Sequence, residues 1–246
     1  MMKRWKGKNM VPQDVSKMLN GALKPGESFQ FRCLQCGSCC RNREDILLNP
    51  YDLHRISEEL HMSPVDVVKK YCITYVGESS RIPCVLLKPK GDKKVCPLLK
   101  KSRCSVHKNK PTVCALFPLG RGISLDKDKL DRTTQRERII YFMQNTGCGA
   151  RDEEHRVEEW LEEFNLQESE SWFLEWSKTI AEIATRIIDL EKRVSEKLMA
   201  VLFHTVFVKL YLDYPDGIGT GGKFVECFKS NAAQIISLLD RAIQEC

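Results

Sequence analysis

The sequence predicts an α+β protein: a small irregular half of short strands and helices over residues 1–150, and a helical half over 151–246 packing on it. Three observations predict this. Ten of the twelve cysteines and nine of the ten prolines fall before residue 150, a composition for short elements and loops. Apolar residues of the second half recur in steps of three and four, the period of an amphipathic helix. In the first half they alternate or run only briefly, as short strands do. The chain has 246 residues, 42% of them hydrophobic, enough for a core that needs no stapling.

Taken in order, Phe29-Gln30-Phe31-Arg32 alternates like a short strand that delivers Cys33. Ile46-Leu47-Leu48 reads as a second strand. Pro50 opens a helix to about Leu60, with Asp52 in its first turn. Ser63-Pro64-Val65-Asp66 opens another, with serine as N-cap, proline at the first helical position and aspartate three residues after the cap. Ile82 to Leu87 is a strand, and Lys88 to Lys110 has too little periodicity for either element. Glycines flank Cys148 at the boundary, Gly147-Cys148-Gly149-Ala150.

Beyond it, Glu153 to Phe164 reads as a helix with Val157, Trp160, Leu161 and Phe164 on one face. The series Trp172, Trp176, Ile180, Ile183, Ile187, Leu190, Val194, Leu198, Val201 predicts one long helix or two abutting ones, stopped by Pro215-Asp216-Gly217. A last helix carries Phe224, Phe228, Ala232, Ile235, Leu239 and Ala242. The long helix and the last one are expected to lie antiparallel and dock on the first half. The tryptophans are core residues on this periodicity, and the paired glutamates at 153–154, 158–159 and 162–163 are a wetted face.

The chemistry lies in eight cysteines: Cys33-x-x-Cys36-x-x-Cys39-Cys40, then Cys96-Pro97, Cys104, Cys114 and Cys148. Thiolates are soft anionic donors that select zinc, copper(I) or iron–sulfur centres, and two intervening residues let a chain turn about one metal. Adjacent side chains diverge by about 100° in a helix and point oppositely in a strand, so Cys39 and Cys40 are expected to face different sites. Eight candidates at four per centre also make two centres, although one site with spare thiols fits the same count.

An all-cysteine set tips the metal toward iron–sulfur, of 4Fe–4S type, with zinc as the alternative. Gly37 would let backbone amides approach a cluster sulfur, and would equally serve a zinc knuckle. Cys72 and Cys84 sit in apolar surroundings and read as buried structural thiols; Cys227 and Cys246 have no ligand spacing. Gly217-Ile218-Gly219-Thr220-Gly221-Gly222 lacks the strand and the Lys-Ser/Thr pair of a phosphate loop and reads as a helix connection. No nucleophile, base or Ser–His–Asp set stands out, which leaves enzyme activity open.

Met1 to Asn9 is basic but is followed by no apolar stretch, so no secretory signal is expected. The most apolar segment, Leu198 to Leu212, contains His204 and Lys209 and falls short of the roughly 20 residues a membrane helix needs. A cytoplasmic, reduced protein follows, with thiols rather than disulfides and no membrane partner. The formal charge is +6, with basic residues gathered at Lys3–Lys8 and Lys88–Lys110. Their plain reading is a solvated surface that offsets thiolate charge; a docking patch is the rival. No aromatic-and-basic pattern accompanies them, which favours the solvated surface and argues against nucleic acid; the partner expected is a redox or substrate protein.

The run Phe31-Arg32-Cys33-Leu34-Gln35-Cys36-Gly37-Ser38-Cys39-Cys40-Arg41 resembles the signature of the YkgJ-type CxxCxxCC proteins, a family named for chelation of zinc or iron. The likeness continues through Cys96-Pro97-Leu98-Leu99, Cys104-Ser105-Val106-His107, Lys110-Pro111-Thr112-Val113-Cys114-Ala115-Leu116-Phe117-Pro118 and Gly147-Cys148, covering about 29–150. Lys110 stands where the family commonly has arginine, and His107 where it often has tyrosine, so the resemblance makes His107 a packing residue. The family is in turn similar to flagellin lysine methylases, whose first cluster is longer. Three readings follow: a redox protein holding one or two iron–sulfur centres, a protein-modifying enzyme of methyl-transfer type, and a structural zinc module for protein interactions.

Overall fold

The computed structural model of the chain describes residues 3–5, 21–34, 36–78, 80–123, 139–144, 147–166, 168–219 and 221–246. Lys6 to Lys8 of the first basic run, Gln35 of the cysteine motif and Thr220 of the glycine-rich connection lie outside the described residues.

Helix α1 spans Pro50–Leu60 and α2 Pro64–Tyr71, with the bounds their caps predict: Asn49 and Ser63 side chains accept the amides of Asp52 and Asp66. Around them stands a four-stranded sheet. Its members are β1 (Lys3–Trp5), β4 (Leu47–Leu48), β5 (Cys72–Gly77) and β6 (Pro83–Leu87), in the order β1-β5-β6-β4. β1 is parallel to β5, and the other pairs are antiparallel. A second sheet joins β2 (Ala22–Leu23), β10 (Ile139–Met143) and β9 (Leu119–Ile123). Two antiparallel pairs complete the strands: β3 (Ser28–Arg32) with the distant β11 (Ala150–Arg156), and the hairpin of β7 (Leu99–Lys100) with β8 (Arg103–Cys104). The remaining helices are α3 (Thr112–Leu116), α4 (Val157–Glu163), α5 (Glu168–Leu190), α6 (Glu196–Tyr211) and α7 (Gly222–Gln244). The mixed α+β class with a helical second half is as expected.

Two local expectations are corrected, and of the two readings of the long apolar series the second holds. Glu153 to Arg156 is strand, because Glu154, His155 and Arg156 pair with Gln30, Phe29 and Ser28, and the helix begins only at Val157. The long apolar series is two helices, broken where Ser195 caps α6 by accepting the Leu198 amide. That break changes the packing. Asn231 of α7 donates to the Lys209 carbonyl, and the groove between these helices joins Thr205 to Leu238, so α6 is the antiparallel partner of α7. Lys229 pairs with Glu175 and Asp240 with Arg186, a constant offset that sets α5 parallel to α7. Among the described residues no helix is long and apolar enough to cross a membrane.

The interior has two parts, and each draws on both sides of residue 150. One gathers Leu53, Ile56, Val85 and Leu98 with Trp172, Ile187, Phe224 and Leu239. The other gathers Phe29, Phe31, Leu116 and Tyr141 with Val157, Trp160 and Leu166. His54 of α1 sits in the first, against Tyr214 and Phe224 at 4.5 and 5.1 Å between ring centroids. Its Nε2 is buried without a partner, and burial depresses its pKa to about 4 against a hydrogen bond to the Tyr211 backbone. Below an unfolded value of about 6.5 the unfolded chain therefore binds the extra proton first. Stability is expected to fall by about 3 kcal/mol as pH drops from about 6.5 to about 4 and then level off. Urea titrations of wild type and His54→Leu across that window test this: only the wild type should carry that increment.

Candidate metal centre

The site is assembled from chain segments far apart in sequence. β3 ends at Arg32 and presents Cys33, while Ala150 of β11 lies opposite Arg32, so Cys148 and Cys33 are carried on adjoining strand ends. A register shift between Ala150 and Glu154 bulges the strand there and lets Asp152 accept from Arg32 at 2.6 Å. After Cys36 the chain must reverse at once. Gly37 adopts a left-handed conformation, φ 68°, and a short 3-10 turn over Ser38–Cys40 follows. The Arg41 guanidinium closes this loop by donating to the Cys36 carbonyl at 3.1 Å. The next residues run beside 93–96: the Cys96 amide donates to the Cys40 carbonyl at 2.8 Å, and the Asn42 amide to the Lys93 carbonyl at 3.0 Å.

Cys96 and Cys104 sit in turns that aim amides at sulfur. Leu98 and Leu99 backbone groups bond to Cys96, and that of Val106 to Cys104, each favouring the thiolate. Cys114 lies on α3, five residues long and too short to hold itself. α1 holds it. Asp52 accepts from the Thr112 amide at 2.8 Å and from its hydroxyl at 2.6 Å. Arg55 donates to the Lys108 carbonyl at 3.3 Å, and Glu59 accepts from Asn109 at 2.9 Å. One face of α1, at steps of three and four, thus fixes the segment that leads to Cys114.

All twelve cysteines are free thiols. The sulfurs of Cys39 and Cys40 are 3.9 Å apart, a hydrogen-bond contact that either thiol can donate. The hydrogen bond from Cys40, with the positive charges of Lys110 and Arg43, pulls the Cys39 thiol down. Cys40 is pushed up by that same pairing, by burial, and by the charges of Cys39, Cys96 and Cys114. Burial, then Cys96 and Cys104, push Cys114 up; burial raises Cys96 and Cys104, which also feel Cys104 and Cys39 respectively. Cys148 is raised by burial and then by Cys36, Cys39 and Cys33, whereas Ser38, whose hydroxyl is 3.2 Å away, lowers exposed Cys36.

Two neighbourhoods emerge: Cys40, Cys96, Cys104 and Cys114 act on one another, and Cys33, Cys36 and Cys39 act on Cys148, with Cys39 also reaching Cys104. Thiols that raise one another's pKa repel as anions, and a bound cation reverses each of those interactions. As placed, no group of three or more His, Cys, Asp or Glu side chains among the described residues is close enough to one point to hold a metal ion. The all-sulfur donor chemistry and the amides turned toward sulfur nevertheless suit a soft metal or cluster.

The other candidates lie elsewhere. Cys72 is buried, its pKa pushed up to about 12 by desolvation, and Cys84 of β6 stands opposite Tyr75. His107 is exposed, with its ring 6.2 Å from Phe164. Sequence reasoning missed the supporting residues. Asp52 reads in sequence only as a first-turn acid, and its partner lies sixty positions away. Lys110, the last member of the basic run read as offsetting thiolate charge, places Nζ 3.7 Å over the Phe164 ring and bears on Cys39, Cys104 and Cys114.

Residues 32–144 match the model of the CxxCxxCC family, described as a "putative zinc- or iron-chelating domain". This part of the chain is similar to that family. The match takes in the candidate ligands from Cys33 to Cys114 and stops before Cys148. That description fits a metal held by these cysteines. Neither the curated proteins nor the solved structures give a match to the chain.

Proposed function

We propose that the chain holds two thiolate-ligated centres, one from Cys33, Cys36, Cys39 and Cys148 and one from Cys40, Cys96, Cys104 and Cys114. The centres are 4Fe–4S clusters, and their work is electron transfer or redox sensing in exchange with a protein partner. The observation that carries this reading is the Cys39–Cys40 pair: Cys39 acts on Cys36 and Cys148 and also reaches Cys104, whereas Cys40 feels Cys96 and Cys114. An all-cysteine donor set with no histidine among it favours iron–sulfur over zinc. Arg43 and Lys110 place positive charge beside these sulfurs, which offsets the negative charge of a thiolate-bound cluster and would raise its potential. When bound, such a cluster supplies one-electron chemistry; the chain's own residues orient the sulfurs and hold the charge.

Purification without oxygen, followed by iron, sulfide and zinc analysis with a visible spectrum, tests the reading. About eight iron and eight sulfide per chain are expected. A colourless protein containing zinc alone overturns the redox assignment. Single replacements test the division: Cys36→Ser and Cys96→Ser should each remove about half the bound metal, and together nearly all of it. Loss of all metal in either single variant would mean one shared centre.

A further inference from the structure

The segment from Lys88 to Lys110 carries nine basic residues and one acidic residue, Asp92, a formal +8. The whole chain is +6, so everything outside this segment sums to −2. The charge is therefore a local feature. It also surrounds the candidate centre, because Cys96 and Cys104 lie inside the segment. Lys88, Lys90, Lys93, Lys94, Lys100, Lys101, Arg103 and Lys108 are all exposed. Among the described residues only Lys94 of this set pairs with a carboxylate, that of Glu44. Crowding like charges without counter-charges is unfavourable to the fold itself.

The backbone presents these cations in a fixed and strained way. Lys101 and Ser102 close the β7–β8 hairpin with φ of 47° and 63°, both left-handed. Such a two-residue turn favours Asn-Gly, and glycine would sit there with less strain. Lys94 is left-handed too, at φ 46°. Strain of this kind is most often kept where function needs the side chain. The loop is also anchored: the Asn42 and Arg43 amides donate to the Lys93 and Lys94 carbonyls, and Lys90 pairs with Val95.

We propose that this basic collar is the docking surface for a partner protein that presents a carboxylate-rich face over the sulfur site. The inference rests on the metal-centre reading for its purpose, and on charge and geometry for its location. A protein fits the collar better than nucleic acid does. Eight of the nine cations are lysines, mobile point charges suited to transient, salt-screened encounters rather than to bidentate phosphate recognition. The segment contains no Phe, Tyr or Trp on which a base could stack. Brief encounters are also what electron exchange requires.

The test uses the full metal-loaded chain and three probes: a short poly-L-glutamate, an oligo-dT of equal charge, and vesicles containing an anionic lipid. Lys100→Gln/Lys101→Gln/Arg103→Gln removes the hairpin charges, and Lys178→Gln/Lys192→Gln/Lys197→Gln removes the same number from the helical half. The hairpin variant should bind poly-L-glutamate about tenfold more weakly at low salt, with a shallower salt dependence, and the helical variant should match wild type. Equal weakening by both variants overturns the location. Oligo-dT bound more tightly than poly-L-glutamate with a salt-resistant remainder, or binding to vesicles alone, overturns the partner class. Metal content measured on the same samples separates the two readings: salt-dependent poly-L-glutamate binding by metal-free protein would keep the docking surface while removing the metal centre.

Discussion

Asp52→Ala is expected to destabilise the protein by about 3 kcal/mol and to free its metal to a chelator faster than in wild type. The carboxylate is fully buried, and its partners are the first amide of α3 and the Thr112 hydroxyl. Removing it leaves an N–H in the interior with no acceptor; burial raises the Asp52 pKa, and the Thr112 bonds, then Arg55 and Arg121, act against that rise. α3 is one turn long and has no side-chain cap of its own, so nothing local replaces the loss. Asp52→Asn keeps one acceptor and should fall between the two. Urea unfolding gives the stability, and the rate of metal transfer to a chromogenic chelator gives the effect at Cys114. A variant as stable as wild type would mean that α1 merely lies beside α3.

Gly149→Ala is expected to cost about 3 kcal/mol, for two reasons that add. The residue has φ 80°, and a Cβ there would stand 2.2 Å from Cε2 of Phe31. Phe31 cannot give way: it is 1% exposed and meets Phe117 and Trp160 edge-on at 5.9 and 6.1 Å. The strain falls on the residue next to Cys148 and on the strand that delivers Cys33, so metal content should drop with stability. Gly37→Ala is the control. It shares the left-handed conformation, but its Cβ would meet only the mobile end of Arg41 at 2.7 Å, so a cost of about 1 kcal/mol is expected. Equal melting temperatures for the two alanine variants would show that Phe31 adapts.

What could be read in advance divides along physical lines. Signals confined to a few residues were legible: Pro50 and Ser63-Pro64 give helix starts to the residue, because proline and caps act over the first turn. Cysteine spacing gave the candidate donors, since ligand chemistry restricts residue type. The Glu153–Arg156 part of β11 reads as helix because it is all polar or charged, and only its pairing with β3, more than a hundred residues away, makes it a strand. The break between α5 and α6 is hidden because Val194 and Leu198 keep the apolar step across it. Asp52, Arg43 and Lys110 act through partners that no local pattern reveals.

The interleaved interior fixes when the chain can acquire its cargo during synthesis. Phe29 and Phe31 wait for Val157 and Trp160, and α1 waits for Trp172 and Phe224, before either packs. Long loops must close before those contacts form, which slows folding. Until those closures form, the eight sulfurs belong to a loosely held polypeptide, so the proposed metal would be inserted late, after most of the protein already exists.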